Sequence, residues 1–179
     1  MAWTFTGNQI GLPPITSTET ATTTVIGGTT VTNLPHKLCD IQKASDPTYG
    51  VGEFFYLKGV ASTAAGDWVG YSPALGTSVR AIANGTYPLA VAMAACDTTT
   101  KYGWYQISGT ARALGLTSIT HSSGFLALTG SAGALDDASV IGDHVFNARK
   151  TTTVHVVGTF IDTYNINRPF TTNVVTVRN

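Results

Sequence analysis

The chain has 179 residues, 43% of them hydrophobic, and ten basic residues balance ten acidic ones. This is enough apolar material for a sizeable core, in one domain with an extension or in two very small domains, and it excludes overall disorder. Charged residues make up only 11%, against roughly a quarter in ordinary soluble domains. The Lys and Arg residues are scattered, which argues against a nucleic-acid partner, and no apolar run approaches the roughly 20 residues that span a membrane.

Met1–His36 differs from the rest of the chain. Glu19 is its only Asp, Glu, Lys or Arg, Thr16–Thr24 reads TSTETATTT, Pro13-Pro14 and Pro35 punctuate it, and Gly27-Gly28 separates VI from TTVTN. Thr favours extended backbone, and without a dense apolar pattern the stretch has little core of its own. It reads as an extended Thr-rich arm over residues 1–36, followed by a β domain over 37–179. Trp3, Phe5 and Ile10 are side chains that a solvated tail rarely carries. A disordered tail and an extended arm that orders on a neighbouring subunit both fit; these three side chains favour the second and are the interface candidates. MAWTFTGNQ has neither the basic nor the apolar region of a signal peptide. Two cysteines in a chain this long make no disulfide framework, so Cys39 and Cys96 are expected to be reduced core residues, made in a cytoplasm.

Leu38–Lys43 reads as a short strand, followed by turns at Asp46-Pro47 and Tyr49-Gly50. Glu53–Val60 (EFFYLKGV) is a strong strand, rich in aromatic and β-branched residues and flanked by Gly52 and Gly59. Gly66-Asp67-Trp68-Val69 is a turn feeding a strand that ends by Pro73. Val79–Ala83 is weaker, Asn84-Gly85 is a hairpin turn, and the length and neighbours of Pro88–Ala95 favour a buried strand.

Lys101–Ala113 (KYGWYQISGTARA) is the stretch around which the chain is organised. From Trp104 it alternates: Tyr105, Ile107, Ala111 and Ala113 share one face, while Trp104, Gln106, Ser108, Thr110 and Arg112 share the other. A period of two over nine residues predicts a half-buried strand. Gly109 in its middle predicts a bulge or a close backbone approach. Gly124–Thr129 is another short apolar run, Leu135–Asp143 a loop entering His144–Ala148, and Thr153–Tyr164 alternates again. Phe170–Val177, opened by Pro169, closes the chain. Short strands separated by regular turn signals predict an all-β fold, a small β-barrel or sandwich with the extended N-terminal arm.

Gly66-Asp67-Trp68-Val69 and Gly142-Asp143-His144-Val145 share Gly-Asp-x-Val. Two metal-binding loops would use Asp67 and Asp143. Two equivalent strand entries, with Asp bonding the backbone two residues on, explain the echo more simply. The chain has no G-x-S-x-G, H-E-x-x-H or Walker motif. His36, His121, His144 and His155 have no partners at ligand spacing, and Asp136-Asp137 reads as a turn. No catalytic, cofactor-binding or metal residue is assigned, and the chain is not expected to be an enzyme. Trp68 and Trp104 lie in or beside strands. Trp104, on the polar face, is either an interface anchor, where a large side chain with one N–H is effective, or a residue covered by the chain's own loops. Both tryptophans join the interface candidates.

KYGWYQISGTARA, with GEFFYLKGVASTAAGDWVGY (Gly52–Tyr71) and PLAVAMAA (Pro88–Ala95), resembles the capsid decoration, or cement, proteins encoded beside the major capsid protein of tailed phages. The resemblance runs roughly from Gly52 to Phe170. It implies a structural virion protein on the outer surface of the head, a homotrimer whose partner is the major capsid protein, with no cofactor. The alternative is a carbohydrate- or receptor-binding β module of a phage fibre or extracellular protein, using Trp104 or Trp68 as a stacking face.

Overall fold

A computed structural model describes residues 2–6, 11–116, 126–137, 143–151 and 161–171, and every regular element among them is a β-strand. In chain order these are β1 (Thr4–Phe5), β2 (Thr18–Thr20), β3 (Thr22–Ile26), β4 (Thr29–Asn33), β5 (Ile41–Asp46), β6 (Gly50–Lys58) and β7 (Trp68–Tyr71). There follow β8 (Ser78–Arg80), β9 (Leu89–Ala92), β10 (Lys101–Leu114), β11 (Leu126–Leu128), β12 (Leu135–Asp136), β13 (His144–Lys150) and β14 (Ile161–Thr171). The main sheet runs β1-β5-β6-β10-β14-β13-β11-β12, with β2 and β9 also on β10, and β7 and β8 beyond β9. The ladders are antiparallel, and the sheet stays open and sandwich-like. The all-β expectation holds, in its sandwich form.

β10 is the hub. Its 14 residues extend about 45 Å at roughly 3.3 Å per residue. β6 pairs with it along Tyr102–Ser108, β2 along Lys101–Gly103, β9 at Tyr105-Gln106 and β14 along Ser108–Leu114. Gly109 makes the close backbone approach, and the bulge lies just before it, around Ile107. The φ of Gly109 is +98°, a Cβ there would lie 2.4 Å from the Val51 carbonyl oxygen, and the register with β6 shifts between Gln106 and Ser108. The Gln106 amide donates to the carbonyls of Ser108 and Thr110, each at 3.1 Å, bridging the irregularity.

The two faces of β10 depart from the simple alternation. Tyr105 and Ile107 enter a core with Phe55, Leu57 and Val69, while Ala111 and Ala113 enter another with Trp68, Leu89 and Tyr164. Ser108, Thr110 and Arg112 are partly exposed, as the alternation predicts. Trp104 and Gln106 are fully buried, because a third core of Ile15, Phe54, Tyr56 and Tyr102 forms over that end of the polar face. The strand is half-buried in its second half and buried on both faces in its first.

Other boundaries shift for physical reasons. β5 starts at Ile41, after Cys39 turns the chain with φ +64°. The Asn84 turn is present, with the Gly85 N–H on the Ile82 carbonyl, but β8 and β9 flank β7 and do not pair with each other. Pro169 lies inside β14, at an irregularity opposite β13, a place where a missing N–H is tolerated. The expected elements at Gly124-Phe125, residues 153–160 and residues 172–177, with Ile10, His121, Gly142 and His155, fall outside the described residues.

Candidate interaction surface

The five interface candidates separate once the arm is placed. Trp104 is fully buried; its indole N–H donates to the Pro13 carbonyl at 3.1 Å, and Phe5 and Tyr56 meet its ring edge-on at 5.6 and 5.1 Å. Trp68 is also fully buried, donating to the Leu114 carbonyl at 3.1 Å and packing against Tyr164. Neither offers surface to a partner or a sugar, so both leave the set of interface residues. Trp3 and Phe5 are partly buried against the chain's own Phe54 and Trp104. Ile10 lies outside the described residues.

The described residues 2–6 and 11–20 of the arm thus pack on the chain's own domain and are not left for a neighbouring subunit. β1 pairs with β5, β2 pairs with β10, and Ile15 is 1% exposed between them. Polar fasteners hold the same segment. The Ala2 N–H donates to Asp46 at 2.6 Å, and Tyr56 donates its hydroxyl to Glu19 at 2.7 Å. Burial opposes ionisation of Asp46, but the N–H groups of Thr48, Ala2 and Tyr49 outweigh it and hold the carboxyl below its ordinary value. Burial and the neighbouring Glu19 push the Tyr56 phenol well up. His36 closes the arm, hydrogen-bonded to Asp40 at 3.1 Å with its ring edge on Tyr56.

The hairpin β3–β4 behaves differently. Its strands pair with each other over five positions, Thr22↔Asn33 to Ile26↔Thr29, and with no other described strand. Gly27 and Gly28 turn it, with φ of +58° and +82°, the left-handed pair that a two-residue hairpin requires. All ten strand residues are exposed. Val25 and Ile26 are 67% and 65% exposed, with Val31 and Leu34 also open. The register puts Ile26 and Val31 on one face and Val25 among threonines on the other. No residue from Thr22 to Asn33 is charged.

A two-stranded hairpin alone is at best marginally stable in water, and its free edges present unpaired backbone groups for another strand. Among the described residues this is the surface that most needs a partner. Its signal is present in the sequence as Gly-Gly between Thr- and Val-rich runs; only its detachment from the rest of the arm is hidden there.

The groups with chemical potential are otherwise engaged. Asp67 accepts from the Ala64 N–H and from Arg80, both at 3.0 Å, and Asp143 accepts from the Asn84 N–H. Both are buried at the entry to a strand, the structural side of the Gly-Asp-x-Val echo. Lys150 and Asp162 form a buried ion pair at 3.0 Å. Burial raises the Cys96 thiol above its ordinary value, which suits an unreactive core residue, and Cys39 is half-buried. Among the described residues no three His, Cys, Asp or Glu side chains gather as a metal site would need. Comparison with protein-family models, with curated proteins and with solved structures returns no match for this chain.

Proposed function

We propose that this chain is a structural binding protein, a capsid decoration protein that docks on the outer surface of a tailed-phage head and stabilises it, acting as a homotrimer with the major capsid protein as partner and performing no catalysis. The observation that carries the reading is the uncharged, fully exposed hairpin Thr22–Asn33 with Val25 and Ile26 at its tip. The resemblance of Gly52–Phe170 to cement proteins supplies the kind of partner, and the scarcity of charge suits a surface meant to be covered. A protein that binds the assembled shell and not its dispersed subunits shifts the equilibrium towards the shell by mass action.

The experiment uses shells made without the protein. Such shells should assemble yet burst at a lower temperature than decorated ones, and purified protein should restore them up to a saturating occupancy. The double variant Val25→Asp/Ile26→Asp should stay folded and fail to restore them. Equal robustness of bare and decorated shells would overturn the reading. So would undiminished restoration by the double variant, which would remove the hairpin as the docking element.

A further inference from the structure

Beside the middle of β10, β13 and β14 carry a groove of about 260 Å³ lined by Asn147, Ala148, Arg149, Asn165, Ile166 and Asn167. The two strands pair at Phe146↔Phe170 and again at Ala148↔Ile166. One residue of β13 lies between those pairs and three of β14. The mismatch is absorbed by two non-glycine residues in the left-handed region, Asn147 at φ +59° and Arg168 at φ +49°. Asn adopts that conformation readily, whereas for a long side chain such as Arg it is uncommon. Backbone held this way clusters at ligand clamps.

Two further observations bear on the same place. Beside the irregularity, Phe146 and Phe170 stack on each other across the strands, 5.3 Å apart and 43% and 37% exposed. In the groove, Thr110 donates to the Asn165 carbonyl oxygen at 3.0 Å, which fixes that amide and leaves its NH₂ for a ligand.

We propose that this groove is a saccharide-binding site. A sugar ring presents vicinal hydroxyls, each both donor and acceptor, around an apolar C–H face. Three primary amides supply donors and acceptors on planar groups, and the exposed phenylalanine rings offer a face for C–H contact. Among the described residues the lining holds no carboxylate, the group that hard-cation sites commonly use. The volume is just below the ~300 Å³ at which pockets for larger ligands begin, so one or two sugar units of a chain engage it. The site is independent of the hairpin, which joins β10 through β2 at Lys101–Gly103, whereas β14 pairs with Ser108–Leu114.

The purified chain is tested on a printed array of bacterial and plant polysaccharides, neutral and acidic, and then by affinity electrophoresis through each polymer retained. At least one polymer should retard the protein. Asn165→Ala/Asn167→Ala should weaken retardation about tenfold, the loss of two hydrogen bonds of ordinary strength. Asn147→Gly keeps the positive φ free of strain while removing one amide, and should weaken retardation with no loss of thermal stability. Val25→Asp/Ile26→Asp should leave retardation unchanged, which separates this site from shell docking. The proposal is overturned if no polymer is bound, or if the asparagine variants bind as well as the parent. It is equally overturned if retention is confined to acidic polymers and vanishes in about 0.3 M salt, since that is charge attraction alone.

Discussion

Residues 11–20 and residues 22–33 are neighbours in the chain and both rich in threonine, yet one stretch is anchored to the molecule through buried Pro13 and Ile15 and the other stands in solvent. The difference lies in a few apolar anchors and in what awaits them. Leu12 and Ile15 meet the Tyr56–Trp104 face of β6 and β10, Pro13 caps the Trp104 indole, and β2 finds a three-residue ladder on β10. Val25, Ile26 and Val31 have comparable hydrophobicity, but the hairpin satisfies its backbone by pairing with itself and these side chains stay exposed. Burial here is decided by whether a complementary face lies within reach, not by composition.

The largest effect expected from breaking this contrast comes from Trp104→Ala. Removing a fully buried tryptophan that the arm covers should cost about 3–5 kcal/mol, read as a lower urea midpoint; an unchanged midpoint would mean the arm does not seal β10. Ile15→Ala should cost about 2–5 kcal/mol, although it lies in the arm. A purely external arm would show no loss.

Tyr56→Phe removes a hydrogen bond to the Glu19 carboxylate and should cost about 1.5–3 kcal/mol, provided that Glu19→Gln is milder. Acid supplies a subtler test. The folded value of Asp46 lies below its ordinary one, so its contribution is complete above the ordinary carboxylate range and is lost as pH falls through the lower folded value. Tryptophan fluorescence should therefore change below pH about 4 as the arm around Trp3 loosens. Asp46→Asn should remove that component. The smallest effect belongs to the hairpin: Val25→Asp/Ile26→Asp should shift the stability of the isolated protein by no more than about 0.5 kcal/mol. A larger loss would show that the hairpin already packs on its own chain.

Much of the strand pattern is legible locally. β6, β7 and β10 announce themselves by aromatic and β-branched residues near glycines. β9 is helix or strand by pattern alone and is favoured as a strand only by its length and neighbours, and Gly109 signals the close approach in β10. Trp104 is ambiguous in the sequence because its burial depends on Pro13, ninety-one residues earlier, and no local period carries that distance. Pro169 suggests the opening of a strand because proline usually lies outside ladders; in the fold it marks the irregularity opposite Asn147. The groove on β13 and β14 has no local signal at all, since its asparagines come together only through a pairing mismatch between two strands.

The distance between Pro13 and Trp104 also has a consequence for synthesis. At ribosomal rates of about 5–20 residues per second, the segment that caps Trp104 leaves the ribosome roughly 5–20 s before its binding face exists. During that interval Phe5, Leu12 and Ile15 are without their sheet, and the hydroxyl-rich residues around them keep the waiting segment soluble. A segment that must wait for its own β10 is also one that a neighbouring chain's β10 can receive, an exchange of identical elements. Refolding at high protein concentration should then yield a fraction of swapped oligomers that dilution before refolding suppresses, and chains lacking residues 1–20 should yield none.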